Sequence, residues 1–163
     1  MLRYVDGDAS VPELYTDKHN YLFHIVNNIG RWGAGFTKSL NKNIPQCGKD
    51  YRAYMNYHKG TDNRRLLGDF FQTEVSSNFS VVHLFAQKGV RGPQNPHPLD
   101  YAHLNKCMKN FKKYLKVEGI HSSKVCIHMP KIGTGLAGGQ WNKIAPSIER
   151  ILGQCETVVY LPE

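Results

Sequence analysis

No stretch of this sequence approaches the roughly 20 consecutive apolar residues that a bilayer-crossing helix needs. The opening segment, MLRYVDGDAS, turns acidic without an apolar core of the kind an export signal carries. A membrane partner is therefore not expected; the expected compartment is the cytoplasm, with the nucleus added in a eukaryotic cell. Cysteine is scarce: Cys47, Cys107, Cys126 and Cys155 stand tens of residues apart and none forms a CxxC pair. That spacing excludes a dense disulfide framework and fits reduced thiols. The 8 histidines never fall into HxxxH or HExxH, and His24, His83 and His128 lie in three separate strand-like runs, so no metal and no cofactor is expected. Acidic residues are outnumbered, 13 against 21 basic, for a formal charge of +8. Such a balance favours polyanionic partners such as nucleotides, nucleic acid or phosphorylated sugars, although runs such as Lys109 to Lys116 also serve as plain solvated faces. What is present is 163 residues, 40% hydrophobic and 21% charged, enough to close one core. The expectation is one domain over 1–163.

Residues 2–5 form a short β-prone start ended by Asp6, Gly7 and Asp8. Residues 21–27, YLFHIVN, are apolar almost throughout, the pattern of a strand covered on both faces. Helices are expected over 33–43 and 47–58, split by Pro45, the second stacking Tyr51, Tyr54 and Tyr57 as a packing stripe. Residues 66–74 and 80–86 read as a hairpin. A helix over 100–118 turns Leu104, Cys107, Met108, Phe111 and Leu115 to one side. A strand over 124–129, a helix over 141–152 and a strand over 157–161 complete the order ββααββαβαβ. The β-α-β crossovers of the second half require parallel strands covered by helices. The fold class is α/β: a three-layer α/β/α sandwich on a mixed, largely parallel six-stranded sheet. Residues 88–98, KGVRGPQNPHP, form a Gly/Pro-rich loop long enough to be a lid or rim.

Two glycine elements carry the chemistry. PKIGTGLAGGQW, residues 130–141, lies between a strand and a helix, where glycine amides and a helix dipole attract phosphate. It satisfies GxGxxG in letters, but only one strand follows, so a Rossmann unit is not implied, and no GK[ST] makes it a P-loop. GRWGAGF, residues 30–36, follows Asn27 and Asn28 and opens a helix in the same way. Two such loops at the C-terminal ends of parallel strands would face one crevice, which is where open α/β sheets hold nucleotides. Each alone is equally compatible with a structural turn.

GDA near the start, HIVNNIGRWGAGF and PKIGTGLAGGQW together resemble the macrodomain family, in particular the small stand-alone branch of ADP-ribose-1″-phosphate phosphatases and terminal ADP-ribose protein glycohydrolases. The resemblance runs from Tyr4 to Leu161. It implies an ADP-ribose cleft in which Asp8, beside Ala9, accepts the adenine amino group and Tyr160 lies close to the base. It further implies that Asn27, Asn28, Arg31, Trp32, Gly33, Ala34, Gly35 and Phe36, with Ile132, Gly133, Thr134, Gly135, Leu136, Ala137 and Gly138, wrap the diphosphate and distal ribose. Glycohydrolases of this branch use a lysine and an aspartate where Gln87 and Ala137 stand here, with Lys88 one position away. The resemblance therefore favours the phosphatase arrangement, with His24, Asn27 and Gln87 as the catalytic set. His24 reads either as a proton shuttle or as a satisfied histidine of a buried strand. The implied ligand is ADP-ribose or its 1″-phosphate, bound by a monomer. The alternatives are release of ADP-ribose from protein or nucleic acid, and a non-catalytic reader of ADP-ribosylated partners.

Overall fold

The computed structural model describes residues 2–162. Six strands, β1 (Leu2–Asp6), β2 (His19–Asn27), β3 (Phe70–Ser76), β4 (Phe79–Gln87), β5 (Val125–Met129) and β6 (Glu156–Leu161), form one sheet in the order β1-β6-β5-β2-β4-β3. Every pairing is parallel except β3 with β4, a hairpin that closes one edge.

Side-chain alternation along β2 and β4 builds the layers. Tyr21, Phe23, Val82, Leu84 and Ala86 point to one face, where they meet Leu104, Cys107, Met108 and Phe111 of α3 (Tyr101–Val117) and Ile144 and Ile148 of α4 (Trp141–Leu152). Leu22 and Val81 point to the other face, against Leu40 of α1 (Phe36–Asn43) and Cys47 of α2 (Gln46–Tyr57), and Val26 and Phe85 meet Tyr51 of α2 there. Because both faces are covered, β2 and β4 can be apolar over most of their length, with His24 and His83 among the buried polar exceptions. The result is a three-layer α/β/α sandwich. All four cysteines are buried and unpaired, and burial pushes the thiols of Cys47, Cys107 and Cys126 up to about 12. No helix among the described residues is long and apolar enough to cross a membrane.

Two elements start three or more residues later than the sequence expectation. α1 starts at Phe36 rather than Gly33, because Gly33 and Gly35 adopt φ of 118° and 63° and keep the preceding loop out of the helix. β3 starts at Phe70 rather than Leu66, since Asp62 caps a 3-10 turn over Asn63–Leu66 by accepting from the Arg64 N–H. The tyrosine stripe also fails at its end: Tyr51 is buried and Tyr54 half-buried, but Tyr57 is 84% exposed. A spacing of three falls short of the 3.6-residue turn, so two such steps carry Tyr57 round to the solvent side.

Candidate active-site cleft

The C-terminal ends of the parallel strands surround a cavity of about 1200 Å³. Its wall is assembled from the turns after β1 (Gly7, Asp8, Ala9), β2 (Arg31 to Thr37), β4 (Gln87, Val90, Arg91) and β5 (Pro130 to Ala137), with Tyr160 and Pro162 at the end of β6. His24 and Asn27 reach it from β2 itself.

The loop after β2 is organised by Asn27. Its side-chain oxygen accepts from the N–H groups of Ile29 and Arg31, both at 3.1 Å, and its amide donates to the Arg31 carbonyl at 2.7 Å. The Tyr51 hydroxyl donates to the Asn27 carbonyl at 2.8 Å and accepts from Gly30 N–H at 3.1 Å. Asn27 is thus spent largely on shaping the turn. α1 has no side-chain cap; Lys38 N–H donates to the Gly35 carbonyl at 3.1 Å, but the amides of Ala34, Gly35, Phe36 and Thr37, residues that line the wall, donate to nothing among the described residues. That is an anion-binding arrangement.

The second glycine loop contributes residues 130–137 to the cavity, and Gly138 lies behind it. A Cβ on Gly138 would come within 2.5 Å of His97 Nδ1, and one on Gly139 within 2.3 Å of Leu99. These two glycines let the loop pack on the 88–99 segment, which sets the start of α4 back from the cavity. Leu136 and Ala137 line the cavity and their amides donate to nothing among the described residues, whereas the N-terminus of α4 is not part of the wall. Asn28 likewise stands outside the wall: it is buried, accepts from Gly89 N–H at 2.9 Å and donates to Asn63, tying two loops together. Among the residues expected to line the site, Asn28 and Gly138 are the two that do not.

Asp8 is exposed, and one of its oxygens accepts from the Ser10 N–H and hydroxyl at 2.9 and 2.7 Å, which leaves the other oxygen available. Tyr160 lines the same end, but it is buried and its hydroxyl accepts from Glu13 N–H and bonds His128 Nδ1 at 2.9 Å, so only its ring is offered. Gln87 donates to the Gly89 carbonyl at 3.0 Å and keeps its oxygen unengaged.

His24 is 2% exposed, and its Nε2 lies 2.6 Å from Nδ1 of His83, whose Nε2 lies 2.9 Å from the Thr73 hydroxyl. Its own Nδ1 is buried without a partner among the described residues. Burial pushes the His24 pKa down to about 3, and burial with the neighbouring His24 holds His83 well below the ordinary histidine range. Both rings are neutral at pH 7, so the chain has two proton arrangements. If Thr73 accepts from His83, His83 accepts from His24 and Nδ1 of His24 is a bare acceptor; if Thr73 donates, that Nδ1 carries the proton. His24 lines the cavity with this atom closed off from solvent, and a buried polar atom left without a partner calls for one from outside the described residues.

Sequence reasoning passed over Arg91, Val90 and Lys131, which all line the cavity. The 88–98 segment was expected as a rim, but nothing in its composition says which side chains turn inward.

Comparison with known proteins bears on this geometry. No family model matches the chain. An ADP-ribose 1″-phosphate phosphatase of Candida albicans is 28% identical over 153 residues, 91% of this chain and 92% of that protein. A protein of unknown function from Bacteroides thetaiotaomicron superposes with a TM-score of 0.83 at 26% identity, covering 100% of this chain and 98% of its own. The macrodomain protein of Streptomyces coelicolor superposes with a TM-score of 0.78 at 24% identity, covering 99% of both chains. The chain has the macrodomain fold. Thermosipho africanus DarTG, whose structure is a complex with ADP-ribose, shares the macrodomain architecture over 99% of this chain and 41% of its own, with a TM-score of 0.71 at 17% identity.

Proposed function

We propose that this macrodomain binds ADP-ribose with the adenine at Asp8 and the distal ribose toward β4, and that it removes the phosphate from ADP-ribose-1″-phosphate. The observation that carries the reading is the convergence, in one cavity, of two open glycine loops, a carboxylate with a free oxygen and an unpartnered buried histidine. The similarity to a protein named ADP-ribose 1″-phosphate phosphatase over nearly its whole length supports the reaction, and the ADP-ribose complex of DarTG supports the ligand.

In this reading the free oxygen of Asp8 accepts the adenine amino group. The amides at the start of α1 and in the 134–137 loop bind the diphosphate and offset charge that develops during phosphoryl transfer. Water forms the new bond to phosphorus as the bond to the 1″ oxygen breaks. The water gives up a proton and the 1″ oxygen gains one, leaving ADP-ribose and inorganic phosphate. Neutral His24 serves through Nδ1 as the acceptor that holds the water, and imidazolium acid chemistry is outside its range. Supporting this over covalent release of ADP-ribose, Lys88 is exposed and absent from the cavity wall, and Ala137 carries no carboxylate.

The test is turnover on ADP-ribose-1″-phosphate, mono-ADP-ribosylated protein and ADP-ribosylated nucleic acid side by side. Phosphate release from the first is expected, with no adduct trapped by borohydride. Asp8→Ala is expected to weaken ADP-ribose binding by roughly 1.5 to 3 kcal/mol, the range for a hydrogen bond to a charged group. An adduct that vanishes in Lys88→Ala would replace this reading with a covalent ADP-ribosyl hydrolase. Tight binding with no turnover of any substrate would leave a reader.

A further inference from the structure

The charged side chains in the cavity wall form a series. Strand order turns the loops into positions along the sheet edge: Asp8 follows β1, Lys131 follows β5, Arg31 follows β2 and Arg91 follows β4. Strands lie roughly 4.8 Å apart, so the four intervals from β1 to β4 separate the start of the series from its end by roughly 19 Å. Among the described residues lining the cavity Asp8 is the one carboxylate, and strand order places it at the opposite end from Arg91.

Arg91 does not ride on a loose loop. Gly89 N–H donates to Asn28 at 2.9 Å, Lys88 N–H to the Pro98 carbonyl at 2.9 Å, and the Asn95 amide to the carbonyls of Lys88 and Val90 at 2.9 and 3.1 Å. Gly92 and Asn95 exchange two backbone bonds, at 3.1 and 2.9 Å, immediately after Arg91. Arg91 forms no ion pair among the described residues.

With adenine at Asp8, the diphosphate falls to the loop amides of the central strands, near Lys131 and Arg31. Arg91 lies beyond it, a cation with no diphosphate oxygen left to meet. We propose that Arg91 recognises a second, terminal anion, a phosphomonoester on the distal ribose, and that it sets the preference of the cleft for terminally phosphorylated ADP-ribose over ADP-ribose itself. The proposal rests on the ligand orientation given under Proposed function. A guanidinium suits the role because its planar fork pairs with two phosphate oxygens at once, whereas a ribose hydroxyl offers it one neutral acceptor. The site is partly open to solvent, which keeps the gain modest and sensitive to salt.

Affinities for ADP-ribose and ADP-ribose-1″-phosphate test this, read by calorimetry, with KM from initial rates replacing Kd wherever the ester is consumed. At low salt the wild-type protein is expected to prefer the ester by about tenfold, one charge-assisted bidentate contact in a partly screened site. Arg91→Ala is expected to reduce that preference to about twofold or less, and Arg91→Lys to restore part of it, because a point charge keeps the attraction and loses the fork. Lys109→Ala, which removes an exposed positive charge from α3, is the control and is expected to keep the full preference. Binding of ADP-ribose without preference for the ester, a preference that survives Arg91→Ala, or equal loss in Lys109→Ala would overturn the assignment of Arg91 and leave the ADP-ribose cleft standing. Failure of the wild-type protein to bind either ligand would overturn both.

Discussion

A neutral, deeply buried histidine makes a sharp statement about pH. Burial pushes the His24 pKa down to about 3, so the ring keeps its unprotonated form across the whole range in which the protein would work. His24→Ala is expected to slow phosphate release by about 10² or more, the scale of losing a group that handles the attacking water. The wild-type pH–rate profile is expected to contain no inflection near 6.5 that His24→Ala removes. An inflection there that disappears with the ring would mean that His24 is protonated during turnover, and the acceptor role would fall. His24 was named from the sequence only through the family resemblance, and its place in the apolar run YLFHIVN read equally as a satisfied histidine of a buried strand. Its partners were not named. His83 and Thr73 lie on β4 and β3, and only strand pairing brings them beside β2. Arg91 escaped notice for a related reason: in KGVRGPQNPHP every residue type is ordinary for a surface loop, and one of the bonds that holds its segment comes from Asn28, sixty-odd positions earlier in the chain.

Among the elements, the glycine loops were the most legible and also the least uniform in what their glycines do. Gly133 has φ of 76°, and a Cβ there would come within 3.0 Å of Leu99 and 3.2 Å of Ile25 and Ile144, so it is needed for packing between a strand, a loop and α4. Gly135 has ordinary φ and nothing within 4 Å of where its Cβ would stand. The two should therefore separate in experiment. Gly133→Ala is expected to lower stability by about 1 to 3 kcal/mol through backbone strain and crowding, visible as a shifted denaturation midpoint. Gly135→Glu is expected to keep the circular dichroism spectrum and abolish ADP-ribose binding, since its carboxylate would occupy the phosphate cradle. Loss of fold in Gly135→Glu would return the loop to a purely structural role. α3 and α4 were readable from their apolar periodicity, whereas the late start of α1 was not, because the same glycines that invite a helix N-terminus also permit the extended loop that precedes it.

At the scale of the molecule, three histidines are held neutral in the interior: His24, His83 and His128, the last pushed down to about 4 by burial. The unfolded chain protonates each near its ordinary value of about 6.5. Between that value and the lower folded one the unfolded state binds more protons, so stability falls as the pH falls. From pH 7 to 5 His24 and His128 each cost about 2 kcal/mol, and His83 acts in the same direction. The midpoint of thermal unfolding is expected to drop steadily between pH 7 and pH 5, less steeply in His128→Gln. A midpoint that does not move over that range would show that these rings are more open to solvent than their packing implies. Alternation of strands and helices made the layers legible, but the order β1-β6-β5-β2-β4-β3 was not, because nothing local tells β2 to insert between β5 and β4 or β1 to pair outside β6. That last pairing sets a timetable. β1 and β6 run side by side with Val5 opposite Tyr160, and Glu13 N–H donates to the Tyr160 hydroxyl across 147 positions of sequence. During synthesis Asp8 is made well before Tyr160, because the two partners of this pairing lie far apart in the sequence. The end of the cleft that would receive the base therefore takes shape only after β6 has been made and has docked beside β1, so nucleotide rewards that docking rather than guiding the steps before it.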